Sequence, residues 1–84
     1  MGLRGYVFIK LNDGITPQGF LDIRRKLEAM DEVIRFDNVI DVNWFDMLAL
    51  VDAGIMVKNV AQKIENISGV HSAQSSRLVL GPEF

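Results

Sequence analysis

The chain has 84 residues, a hydrophobic fraction of 49% and a formal net charge of -2 at pH 7. A domain of this size removes only about 60 to 65% of its extended-chain surface from water, so its core is small and association is the simplest way to enlarge it. The absence of cysteine excludes disulfides and thiolate sites, and the scattered lysines and arginines offer no broad basic face to nucleic acid.

The first part of the chain predicts a strand followed by a helix. Residues 4–11 are apolar on both faces of a strand, because successive strand side chains point in opposite directions. Asn12-Asp13-Gly14 predicts a turn, and Thr16-Pro17 predicts the N-cap and first position of a helix. The basic run 24–26 predicts a solvated helix face, with an anionic partner as the alternative. The predicted buried stripe of this helix is Phe20, Ile23, Leu27 and Met30.

The stretch 39–52 organises the rest of the fold. It is an apolar run broken once by Asn43-Trp44-Phe45-Asp46, and it predicts two central strands joined by a tight reversal. The earlier strand is expected from Val33 to about Val42, with a bulge near Asp37-Asn38. The later strand is expected from Asp46 to about Ala53, and its run of apolar residues is typical of a strand covered on both faces.

A second helix and a last strand complete the pattern. The helix is expected from about Ile55 to Ile67, and Ser68-Gly69 ends it. The last strand is expected from Val70 to Leu80, polar at first and then apolar. The predicted apolar stripe of the helix is Val57, Val60, Ala61 and Ile64.

These elements follow the order β-α-β-β-α-β, which is the ferredoxin-like arrangement. It is an α+β sandwich with a four-stranded antiparallel sheet and both helices on one face, and we predict it as a single domain over residues 1–84. The other sheet face is then bare, although strands one and three are apolar on both sides. Such a face exceeds the apolar patches of soluble monomers, so we predict a homodimer that packs sheet to sheet.

Two short motifs resemble a known family. Asn43-Trp44-Phe45-Asp46 stands where the ligand-binding (RAM) domain of the leucine-responsive and asparagine-responsive regulators, Lrp/AsnC, usually has Gly-X-Tyr-Asp. Ile67-Ser68-Gly69-Val70 stands where that domain has Ile-Pro-Gly-Val, and the resemblance extends from Gly5 to Leu80. It implies a ferredoxin-like fold, sheet-to-sheet dimers, often rings of four dimers, and an amino acid or similar effector bound between dimers.

The resemblance also implies the position of a ligand site, at the reversal within residues 39–52 and the start of the last strand. The matching residues of this chain are Asn43, Trp44, Asp46, Ala73 and Ser75. Asn43 replaces the glycine of the family motif and adds a side chain. Ala73 replaces the first hydroxyl of the Thr-X-Thr pattern that the family often shows.

Two of these residues have alternative interpretations. Asp46 either receives the ammonium group of an amino-acid-like ligand or accepts backbone N–H groups of the hairpin turn. Trp44 either walls a ligand pocket or anchors an oligomer contact. His71 is the only histidine, and Asp46 is the only partner we can name for it, so a metal site or general base is not expected. We predict no catalytic residues, no cofactor and no enzyme activity.

The sequence therefore predicts a small-molecule sensing and oligomerisation module that modulates a transcription regulator or metabolic protein. A regulator paralogue is one candidate partner, since we expect no DNA-binding domain and no direct nucleic-acid contact here. The alternatives are a dimeric α+β-barrel enzyme, a purely structural assembly domain, and an RNA-recognition domain. The last should interleave basic residues with aromatic ones in its first and third strands, whereas the third strand here is Met-Leu-Ala-Leu-Val. With no run of about 20 apolar residues and no secretory signal, membrane insertion is not expected and the expected location is the cytoplasm.

Overall fold

The computed structural model describes residues 4–40, 43–52 and 57–75. The predicted β-α-β-β-α-β order is confirmed, and the fold is ferredoxin-like. The elements in chain order are β1 (Arg4–Leu11), α1 (Pro17–Glu28), β2 (Val33–Asn38), β3 (Met47–Asp52), α2 (Val57–Glu65) and β4 (Val70–Ser75).

The four strands form one antiparallel sheet in the order β2-β3-β1-β4. β1 and β3 are therefore central, while β2 and β4 lie at the edges. The prediction that both strands of the hairpin formed by β2 and β3 are central is wrong for β2. Because β3 pairs with β1, its hairpin partner β2 is displaced to the outside of the sheet.

Strand β2 also differs from the prediction in its length and in the place of its bulge. The regular strand ends at Asn38 rather than near residue 42, and its register shift lies between Val33 and Arg35. Residues 37–38 pair regularly with β3, since an edge strand tolerates polar side chains. The bulge instead lies where the chain enters the sheet.

The ends of α1 and α2 follow the predicted capping chemistry. Thr16 is the N-cap of α1, and its hydroxyl oxygen accepts a hydrogen bond from the Gly19 N–H at 3.0 Å. Gly69 has a φ of 98° after α2, a conformation that favours glycine. α2 ends two residues before the predicted Ile67, at Glu65. The predicted parts of α2 before residue 57 and of β4 after residue 75 lie outside the described residues.

The core lies between one sheet face and the two helices. Alternate residues of β1 and β3 are buried under the helices. α2 contributes its whole predicted stripe, whereas in α1 Phe20 is only partly buried and the predicted Met30, also partly buried, lies after the helix ends at Glu28. The fully buried large side chains are Val7, Ile9, Ile23, Leu27, Met47, Val51 and Ile64. The two helices thus cover one face of the sheet and do not cover the other.

The predicted solvated face of α1 holds for Arg25 but not for Arg24. Arg25 pairs with Asp22 at 3.2 Å and its side chain is 70% exposed. Arg24 is half-buried, with its guanidinium carbon 5.0 Å from the ring centre of Phe36 and 5.8 Å from that of Phe20. The aromatic ring that β2 supplies next to α1 holds this arginine in place, which a helical periodicity could not indicate.

An ion pair joins the turn before β2 to helix α2. Lys63 Nζ lies 2.6 Å from Glu32 Oε2 and donates a hydrogen bond to it. This bond from Lys63, together with a bond from the backbone N–H of Glu32, holds the pKa of Glu32 below its ordinary value of 4.5, although partial burial opposes the shift. The pair is therefore expected to stabilise the fold in a pH-dependent way.

Glu32→Gln is expected to lower the free energy of unfolding by about 0.5 kcal/mol at neutral pH, a small effect because the pair is largely solvated. Since the pKa of Glu32 is lower in the folded state, its contribution is complete above the unfolded pKa and disappears as the pH falls through the folded one. Urea unfolding of the wild type and of Glu32→Gln, at neutral pH and at about pH 3, measures the difference in unfolding free energy. Asp31→Asn, at an exposed neighbour, is the control. An equal difference at both pH values contradicts the prediction.

Candidate functional site

The sheet face opposite the helices is the first candidate surface. Register pairs Tyr6 with Leu50 and Phe8 with Leu48, and these residues alternate with the buried core positions of their strands. We call these four residues the open face. They are half-buried, and within the described parts of the chain no second layer covers them. The sequence prediction that β1 and β3 are apolar on both sides is thus confirmed.

An aromatic cluster extends the open face onto the hairpin between β2 and β3. The ring centre of Phe8 lies 5.0 Å from that of Trp44 and 5.0 Å from that of Phe45, and the two hairpin rings are 4.4 Å apart. Phe45 is only 8% exposed, whereas Trp44 remains 56% exposed. The cluster fixes Trp44 at the margin of the open face with much of its surface accessible.

Asp46 ties this hairpin to the end of β1. The Leu11 backbone N–H donates to Asp46 Oδ2 at 2.8 Å, and Lys10 Nζ lies 3.6 Å from the same oxygen. Lys10 Nζ also donates to the Asn43 carbonyl oxygen at 3.4 Å. Among the described residues, the backbone N–H that donates to the Asp46 carboxylate belongs to β1 rather than to the hairpin turn, because the hairpin folds against β1. The Asp46 side chain is still 40% exposed.

The five predicted ligand residues fall into two groups. Asn43, Trp44 and Asp46 lie together on the hairpin, on the side of the open face. Ala73 and Ser75 pair in register with the core residues Ile9 and Val7, so they lie on the helix side of β4. One chain therefore does not bring all five together.

Residues that the sequence did not single out complete the hairpin group. Lys10 contacts both Asp46 and Asn43, and the alternation of β1 could have found it, since it follows Phe8 by two positions. On β4, Ser72 and Gln74 pair with Lys10 and Phe8 and so lie on the same side of the sheet as the open face. Polar groups thus border the apolar centre.

Other kinds of site find little support in the described residues. No group of three or more histidine, cysteine, aspartate or glutamate side chains is placed to hold a metal within residues 4–40, 43–52 and 57–75. His71 is exposed on β4. Neither helix in the described ranges has the length and apolar character required to span a membrane.

Comparison with known proteins gives similarity in structure but not in sequence. No protein-family model and no curated protein matches the chain. A Neisseria meningitidis transcriptional regulator in complex with L-Met superimposes with a TM-score of 0.76 at 19% identity, over 96% of this chain and 51% of that one. The leucine response regulatory protein LrpA of Mycobacterium tuberculosis gives 0.72 at 21% identity, over 98% and 53%. The chain therefore spans about half the length of these regulators.

A third similar structure has nearly the same length. It is a dimeric ferredoxin-like protein of unknown function from Thermobifida fusca, with a TM-score of 0.53 at 15% identity over 90% of both chains. Together the three structures confirm the ferredoxin-like fold and the predicted resemblance to leucine-responsive regulators at the level of the fold.

Proposed function

We propose that this protein is a regulatory module that forms homodimers through its open face and senses an amino-acid-like effector. The single observation that carries the proposal is the open face itself, a set of large apolar side chains on a sheet with no covering layer in the described residues. The fold it shares with a transcriptional regulator and a leucine response regulatory protein supports a regulatory role over an enzymatic one. Its target is a transcription regulator, such as a paralogue with a DNA-binding domain, or a metabolic protein.

The pattern of the surface supports dimer formation. The open face is bordered on one side by Ser72 and Gln74 of β4, next to β1, and on the other by Arg35 and Asp37 of β2, which pair with Leu50 and Leu48. Interfaces commonly combine an apolar core with a polar rim, and a two-fold axis lets one surface complement itself. A second copy packed sheet to sheet therefore buries the open face, and rings of dimers extend this assembly.

The effector site is proposed at the hairpin. The partly exposed Asp46 carboxylate supplies a negative charge for an ammonium group, and Trp44 supplies an apolar wall. One similar regulator was crystallised with L-Met, which supports an amino acid as the chemical class. Ala73 and Ser75 lie on the other side of the sheet, so a site that uses them together with Asn43 takes the two groups from different copies.

Native mass spectrometry with and without a mixture of the standard amino acids tests the proposal. We expect an even-numbered assembly that gains one discrete mass per subunit. A monomer at micromolar concentration contradicts the dimer. An even-numbered assembly that binds nothing contradicts the sensor and favours a purely structural assembly domain.

Trp44→Ala is expected to weaken association between dimers by about tenfold while leaving the dimer intact, because exposed aromatic side chains dominate interface hot spots. Sedimentation velocity over a concentration series measures the effect. Trp44→Phe keeps an aromatic ring on Phe8 and serves as the matched control. An unchanged distribution of assemblies in the alanine variant removes Trp44 from the interface.

A further inference from the structure

A groove separates α1 from the edge strand β2, away from the hairpin. Its volume is about 450 Å³, within the range of pockets that hold small molecules. The lining combines apolar side chains with two arginines and one glutamate. These residues are Arg24, Leu27, Glu28, Val33, Ile34, Arg35 and Phe36. The groove is therefore more polar than apolar at its surface, with apolar area at Val33, Ile34 and Phe36 and a positive charge from Arg24.

Arg24 is the residue that the structure holds in position there. Its guanidinium carbon lies over the rings of Phe36 and Phe20, at 5.0 and 5.8 Å from their centres. Contact with ring faces engages the flat side of the guanidinium and leaves its N–H donors for an anion. Among the residues that the structure describes, ion pairs form elsewhere: Lys10 with Asp46, Arg25 with Asp22, and Lys63 with Glu32. Arg24 is thus a fixed cation without a carboxylate partner in those ranges.

The form of β2 decides what kind of molecule fits. A peptide strand added to this edge would need a continuous hydrogen-bond ladder, and the register shift between Val33 and Arg35 interrupts it. A bare inorganic anion would leave the accessible apolar surface of Val33, Ile34 and Phe36 unused. Glu28 in the lining repels a second negative charge. A compact molecule with one carboxylate and an apolar body satisfies all three conditions.

We propose that the groove between α1 and β2 binds a small monocarboxylate with an apolar body, whose carboxylate pairs with Arg24. The guanidinium fork matches a carboxylate in a bidentate arrangement. Arg35 pairs in register with Leu50, which places its side chain on the other side of the sheet, so Arg24 is the arginine that faces α1 in this groove. This site is separate from the hairpin and does not depend on the sensing role proposed for it.

Nuclear magnetic resonance of the 84-residue chain, labelled with ¹⁵N, tests the proposal with phenylacetate as the probe. We expect saturable shifts of the Arg24 side-chain Nε–H and of the backbone amides of residues 33–36. Phenylacetamide, which has the same body without the charge, is expected to cause no saturable shift. Arg24→Met is expected to weaken phenylacetate binding by about tenfold, the loss of one charge-assisted pair. Arg25→Met, on the same helix but exposed, is the matched control.

Three results overturn the proposal. They are equal binding of phenylacetate and phenylacetamide, an unchanged affinity in Arg24→Met, and shifts confined to hairpin residues 43–46. If Arg24→Met loses the dispersed spectrum of a folded protein, Arg24→Lys becomes decisive. Lysine keeps the apolar stem and the charge but lacks the planar fork, so we expect weaker binding in a folded protein. Binding equal to wild type in Arg24→Lys then overturns the bidentate pairing.

Discussion

Leu50→Lys is expected to convert the proposed homodimer into a monomer. Leu50 pairs with Tyr6 at the centre of the open face, on the side of the sheet away from the helices. A two-fold sheet-to-sheet interface brings the lysines of both copies into one apolar region, where two like charges lose their water together. We expect the dissociation constant to rise by about a thousandfold, which is about 4 kcal/mol.

The same substitution at a position outside the face provides the control. Leu21, on α1, is 49% exposed, so Leu21→Lys makes the identical chemical change without touching the sheet. Analytical ultracentrifugation of both variants across micromolar concentrations measures the dimer fraction. Circular dichroism should show both variants folded, because the lysine stem lies along the apolar surface with its ammonium in water. A dimer that persists in Leu50→Lys shows that another surface forms the interface.

Most of the fold could be predicted because its determinants are local. The alternation in β1 fixes which side chains meet the helices, and the stripe of α2 from Val57 to Ile64 fixes the face that it buries. Thr16 and Pro17 mark the start of α1, and Gly69 follows the end of α2. Each of these features depends on neighbours within a few residues in the chain.

The features that the sequence did not predict depend on distant pairings. The edge position of β2 follows from the pairing of β3 with β1, which no local pattern in residues 33–38 reveals. The hydrogen bond between Leu11 and Asp46 joins positions 35 residues apart. Arg24 is half-buried because Phe36, on another element, comes to lie beside it. Long-range contacts of this kind decide the candidate sites.

The candidate site at the hairpin contains residues whose positions follow from local sequence and residues whose positions follow from distant strand pairing. Its motif placed Asn43, Trp44 and Asp46 together, and the structure agrees because they are close in sequence. Ala73 and Ser75 were added through the resemblance alone, and their register with Ile9 and Val7 places them on the helix side of β4. Whether they act with the hairpin depends on contacts between copies.

Asp46 is the residue for which stability and function are hardest to separate. Asp46→Ala is expected to lower the free energy of unfolding by about 2 kcal/mol, because it leaves the partly buried Leu11 N–H without its acceptor. It also removes the carboxylate that pairs with Lys10 at 3.6 Å. Loss of effector binding in this variant alone would therefore have two explanations.

Asp46→Asn separates the two roles. The amide oxygen keeps an acceptor for the Leu11 N–H, so stability in urea should remain within about 0.5 kcal/mol of wild type. The negative charge is lost, and with it the partner for an ammonium group, so the affinity for an amino-acid effector should fall by more than about tenfold. Native mass spectrometry measures the binding, and Asp13→Asn, at an exposed carboxylate in the turn after β1, is the control. Wild-type affinity in folded Asp46→Asn assigns the residue to the hairpin alone, because its charge then contributes nothing to recognition.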